Sequence, residues 1–278
     1  MKLQASINRY AAKLSTNRGR AWVASALSAL LLSAPAFGHK TFLAAERHLW
    51  ETGDTVEVGL TSALEFPDVE YGPALDRVSF TSVVVANTQV QNLSFAEGER
   101  ALSVSFQAEE SGFSVVAMST HPRAGEISPE GAAAYFDEIE APAAIRQAFE
   151  DLPGSPPLNR SYSKHTKVFL CIDSCETGQE AAHTPVGQAL EFIGVADEER
   201  SFALHRHGQA VENQRVTIYS DTGEQTYAVT NEDGVVLVDP SIAGVVLLSA
   251  VWVIAPDEPS GVYHSDQATL TFRLEETG

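Results

Sequence analysis

The sequence predicts a mainly β protein: two immunoglobulin-like or prealbumin-like β-sandwich domains with a short helical insertion between them. Three observations carry this reading. Short apolar runs, several of period two, recur between turns from Thr41 to Met118. The texture then shifts to Ala, Glu and Gln between residues 128 and 151. Strand-like runs resume near Tyr162 and continue to Leu274. The implied division is a leader at 1–38, a first sandwich at 39–120, a helical insertion and linker at 121–160, and a second sandwich region at 161–278 ending in an Ig-like unit.

Each element follows from its local pattern. Residues 1–38 carry Lys2, Arg9, Lys13, Arg18 and Arg20 and no acid, then the apolar run Ala21–Leu32, then small residues at Ala36 and Gly38. A basic start, an apolar run and a small-x-small end read as a secretory signal peptide cut after Gly38. The rival is a retained anchor, but the apolar run is short of the roughly 20 residues that span a bilayer. Cleavage implies periplasmic export and no stable membrane insertion of the mature chain.

Val56–Leu60 alternates, Val78–Val85 ends at Asn87, Leu102–Phe106 alternates again, and Phe113–Met118 follows Gly112. Ser128 then Pro129 reads as a helix cap followed by proline at the first helical position. Pro142 splits the segment into two helices, and Leu152–Pro157 is a breaker cluster. Lys167–Ile172 is a strand leading into Cys171-Ile172-Asp173-Ser174-Cys175. Leu190–Ile193, Ser201–Leu204, Arg215–Tyr219, Val245–Ile254 and Ala268–Leu274 supply the later strands, with turns at Gly208 and at Asn231–Gly234.

Charge and cysteines narrow the chemistry. The chain has 18 Lys+Arg against 37 Asp+Glu, a net charge of −19, and loss of the five leader cations leaves −24. Such a surface repels nucleic acid and anionic lipid. Cys171 and Cys175 read as a disulfide in an exported protein; the alternative is a thiolate pair for a soft metal.

The chain resembles the exported proteins of domain-of-unknown-function family 4198, often labelled as a periplasmic component of cobalt or nickel uptake. The residues that carry the resemblance are His39-Lys40-Thr41-Phe42-Leu43, the helix Ala134-Tyr135-Phe136-Asp137-Glu138, and Arg160-Ser161-Tyr162-Ser163-Lys164-His165-Thr166-Lys167. The Gly208 turn, the Asn231-Glu232-Asp233-Gly234 turn and the closing Ala268-Thr269-Leu270-Thr271-Phe272 strand complete the order. Where the family carries Gly-Lys-Pro, this chain has Gly208-Gln209-Ala210. The resemblance implies metal handling, with a membrane metal permease or an outer-membrane receptor as partner.

Cleavage after Gly38 would place an α-amine and an imidazole on His39, a two-nitrogen chelate for nickel, cobalt or copper. His165 and His264 are the first candidates to complete the metal site, and His121 the next. Asp266 has the same facing as His264 in an extended chain. His48 can pack on Leu49 and Trp50, and His183 sits in a polar loop. His205 and His207 are expected to face water beside a turn, with Phe202 and Leu204 buried opposite. No Gly-x-Ser-x-Gly elbow, phosphate loop or His-Glu-x-x-His motif is present, so no enzyme is expected. Three readings follow: a periplasmic transition-metal-binding protein, a copper histidine-brace redox enzyme, and a structural Ig-like module without metal.

Overall fold

The computed structural model describes residues 39–275, so the leader assigned to 1–38 lies outside the described residues. The first stretch contains strands β1 (Lys40–Ala45), β2 (Leu49–Trp50), β3 (Thr55–Ala63), β4 (Val78–Val85), β5 (Thr88–Gln89), β6 (Ser94–Glu97), β7 (Leu102–Gln107), β8 (Gly112–Thr120) and β9 (Arg123–Ile127). Helices α1 (Pro129–Glu138) and α2 (Ala143–Glu150) follow, then the long β10 (Leu158–Ile172) and the short α3 (Glu180–His183). The remaining strands are β11 (Leu190–Val195), β12 (Glu198–Arg206), β13 (Gln209–Ala210), β14 (Arg215–Ser220), β15 (Gln225–Val229), β16 (Val235–Leu237), β17 (Gly244–Ile254) and β18 (Tyr263–Leu274).

These strands form three layers. The central sheet runs β15-β14-β17-β18-β10-β8-β4-β5, with β2 and β9 also paired to β10. One outer sheet is β1-β3-β7-β6, and the other is built from β11, β12, β13 and β16. Strands from 39–120 and from 161–278 therefore share one sheet, and the expected boundaries at 120 and 161 do not separate two sandwiches. The joint is β10, which lies antiparallel to β8 and parallel to β18.

The period-two pattern explains the layering. Val56, Val58 and Leu60 of β3 and Leu102, Val104 and Phe106 of β7 meet Val168, Leu170 and Ile172 of β10 in one core. Phe169 of β10 and Ala268, Leu270 and Phe272 of β18 face the other way, onto Phe192, Phe202 and Leu204. Because β10 is covered on both faces, it reads as a continuous apolar run rather than an alternating one. Helices α1 and α2 pack Tyr135, Phe136 and Phe149 on Leu158 and Tyr263. Pro142 does divide them, with α2 starting at Ala143. Among the described residues no helix is long and apolar enough to cross a membrane.

Cys171 and Cys175 form a disulfide at the end of β10, with Cα atoms 5.0 Å apart. Asp173 within this loop adopts a positive φ of 57° and is tied down by its own carboxylate. That carboxylate accepts from the Thr52 N–H at 2.9 Å and the Thr52 hydroxyl at 2.6 Å.

Candidate functional site

The parallel pairing of β10 and β18 sorts their side chains onto two faces. Arg160, Tyr162 and Lys164 stand opposite Tyr263, Ser265 and Gln267 on one face. Ser163 and His165 share the other face with His264, Asp266 and Ala268. Arg160, Tyr162, Lys164 and Ser265 of this first set floor a cavity of about 620 Å³, within the size range of small-molecule sites. Its walls come from Thr41, Ser62 and the segment Tyr71–Ala74 on one side, and from Tyr135 and Glu138 of α1 on the other. His39 and Tyr71 stand at the same cavity with ring centroids 5.6 Å apart, edge to face.

The wall segment is held closely. Ser62 and Tyr71 exchange backbone hydrogen bonds of 2.8 and 3.0 Å. Gly72 N–H donates to Glu99 O at 3.0 Å. A Cβ on Gly72 would lie 2.5 Å from the backbone carbon of Ala101, so only glycine allows this approach.

Four basic side chains line the cavity, Arg77, Arg123, Arg160 and Lys164, with Glu138 the one carboxylate among its lining residues. Arg77 is anchored by donation to His121 O at 2.7 Å. The Arg160 guanidinium stacks 5.1 Å from the Tyr135 ring and 4.9 Å from the Tyr162 ring, while its buried Nε has no hydrogen-bond partner among the described residues. Lys164 Nζ donates to Gln267 Oε1 at 2.6 Å and lies 5.3 Å from the Tyr162 ring centre. Burial lowers the Lys164 pKa to about 8; Arg160 pushes the same way and Glu138 opposes. Burial likewise raises the Tyr135 phenol. The arrangement can hold an anion: fixed donors, aromatic walls and excess positive charge converge on a concave space.

On the opposite face, Asp266 Oδ1 accepts from His165 Nε2 and His264 Nε2, both at 3.1 Å. His165 Nδ1 meets the Ser119 hydroxyl at 3.0 Å, so both of its ring nitrogens are engaged. Burial raises the Asp266 carboxyl, but hydrogen bonds and charge from the two imidazoles outweigh this and hold it well below its usual range.

The candidate metal ligands therefore do not share one site. His165 and His264 meet at Asp266, His39 lines the cavity across the sheet, and His121 is exposed after β8. No other histidine lines the cavity beside His39, which leaves a copper brace there without its second ring. Among the described residues no group of three or more His, Cys, Asp or Glu side chains is placed to hold a metal ion. Of the remaining histidines, all but the exposed His207 have a local partner or some burial. His183 Nδ1 is 3.0 Å from Gly194 O. Burial lowers the His48 pKa to about 4, with Arg273 adding and Asp221 opposing. His207 occupies the turn with a φ of 48°. His205 does not face water as expected: it is partly buried, its Nδ1 has no partner, and burial lowers its pKa.

Sequence reasoning missed the cavity cations. One signal was present: Arg160-x-Tyr162-x-Lys164 puts two cations and an aromatic on one face of a strand. No curated protein matches the chain. Among solved structures it is similar to the D0-D1 domain of Intimin, at 13% identity over 83% of this chain and 97% of that one, with a TM-score of 0.21. It is also similar to the Yersinia pseudotuberculosis adhesin InvE, at 10% identity over 84% of this chain and 58% of that one, with a TM-score of 0.22. Residues 36–254, most of the chain, match the family described as Domain of unknown function (DUF4198), and the chain belongs to that family.

Proposed function

We propose that the protein is an exported capture protein that binds a small anionic solute in the β10–β18 cavity without turning it over. One observation carries the reading. Of the 13 basic residues that follow residue 38, four line this single cavity, in a stretch that carries 37 acidic residues and a net charge of −24. Diffuse acidity alone gives no reason for such convergence, since gathering like charges around one space costs stability unless a counter-charge is supplied. Export follows from the basic and apolar leader, and a membrane permease or outer-membrane receptor is the partner that such a carrier would serve.

Calorimetry of the mature protein with succinate, citrate and inorganic phosphate is the test. Saturable binding of one of these should weaken about 10- to 100-fold in Arg160→Gln, the loss of a charge-assisted hydrogen bond. No binding by any of them, with unchanged heats in the variant, overturns the reading and favours a structural Ig-like module.

The metal reading keeps one form, which the cavity position of His39 favours. A bare dication would meet four positive charges, each repelling it by about 5–6 kcal/mol at about 6 Å and an effective dielectric near 20. A nickel, cobalt or copper ion is therefore expected at His39 only when already wrapped in an anionic chelator. Nickel–citrate binding more tightly than citrate, with nickel alone not binding, would support this form; equal affinities would remove it.

A further inference from the structure

Two lysines of β10, one buried and one half-buried, are partnered in opposite ways. Lys167 is 2% exposed and faces β11. Its Nζ donates to Glu191 Oε2 at 2.5 Å and to Phe192 O at 2.9 Å. The same carboxylate accepts from the Val186 and Gly187 N–H groups at 2.9 and 3.1 Å. That is a closed structural pair. Lys164, three residues earlier on the other face, donates instead to an amide oxygen, that of Gln267. Its amine lines the cavity beside Arg160, with Glu138 across from it on α1.

We infer that Lys164 captures carbonyl-bearing organic acids covalently, as a reversible imine, while the cavity arginines hold the acid group. This rests on the capture reading above and assigns the ligand a class: small 2-oxo acids or aldehyde acids. The geometry supplies the three things an imine needs. The arginines fix the carboxylate by paired hydrogen bonds. The amine stands in the same cavity. At pH 7.5 a lysine whose pKa is about 8 is about one quarter neutral, against about one in a thousand at the ordinary 10.5.

The step balances without an oxidant or reductant. The neutral amine nitrogen adds to the carbonyl carbon, and the carbonyl oxygen takes up a proton. The resulting carbinolamine loses its hydroxyl as water, the nitrogen gives up its remaining protons, and a carbon–nitrogen double bond forms. Glu138 and the Tyr135 hydroxyl are the cavity groups suited to move those protons. Water reverses the reaction and releases the acid.

The chain suits the test, because Lys40, Lys164 and Lys167 are the only lysines after residue 38. The mature protein is incubated with glyoxylate, reduced with borohydride and mapped by peptide mass. The expected result is one saturable adduct on Lys164, displaced by malonate, which has the acid groups and no reactive carbonyl. Propanal, neutral and similar in size, should label at least about tenfold less, since each lost acid contact costs about 1.4 kcal/mol or more. The trapping rate should rise with pH and level off above about 8. Lys164→Arg should lose the adduct. An adduct on Lys40 or the amino terminus, or equal labelling by propanal, overturns the inference. Glyoxylate that binds by calorimetry but leaves no adduct overturns it while the capture reading stands. Malonate competition needs no variant, so a poorly folding Lys164→Arg does not weaken the test.

Discussion

Asp266 is the residue on which the far face of the central sheet turns. It is 4% exposed, and one oxygen serves both His165 and His264. Burial of a carboxylate is tolerated here because its partners supply donors on two strands, β10 and β18. Replacing it with Asn keeps an oxygen acceptor but removes the charge that both imidazoles meet. Asp266→Asn should cost about 1–3 kcal/mol at pH 7, measured by urea unfolding. The sign of the pH dependence follows from linkage. A carboxyl held below its unfolded value of 3.8 contributes stability that is present above that value and lost as pH falls through the folded one. The gap between wild type and variant should therefore narrow below about pH 4. A gap that stays constant into acid would mean the charge is not what Asp266 contributes.

At the scale of elements, β10 does most of the joining. Its apolar half packs on both outer sheets, and its polar half lays Arg160, Tyr162 and Lys164 along the cavity floor. The disulfide closes only the short loop at its end. That loop is also held by the Asp173 N–H donating to Trp50 O at 2.7 Å and by both Thr52 contacts. Replacing Cys171 and Cys175 with Ala should cost about 2 kcal/mol or less, since a short loop gives a small entropic gain on closure. Thermal unfolding of the double variant checks this; a loss well above that figure would mean the bridge positions β10 itself. The same strand shows what periodicity can convey. Lys167–Ile172 was legible as a strand from its apolar run. That it is parallel to β18, and so brings Ser265 and Gln267 beside Tyr162 and Lys164, was not legible, because these partners are 103 positions apart in the chain.

For the whole molecule, the shared central sheet predicts one cooperative unfolding transition. Trp50 belongs to the core under β3 and β7, and Trp252 packs on the core under β11 and β12. Fluorescence of mature variants retaining one tryptophan or the other should report the same midpoint in guanidinium. Two midpoints would mean that the halves fold separately, as the division at residues 120 and 161 implies. The β class, most strands, the helix start at Pro129 and the split at Pro142 were set by alternation, proline and glycine, which act over a few residues and are written locally. Asp266 sharing a face with His264 was legible for the same reason. The separation of His39 from His165, and the gathering of Arg77, Arg123, Arg160 and Lys164 around one space, were decided only in three dimensions. Sheet register and the packing of α1 over β10 and β18 set which side chains meet, and both depend on contacts between segments far apart in the chain.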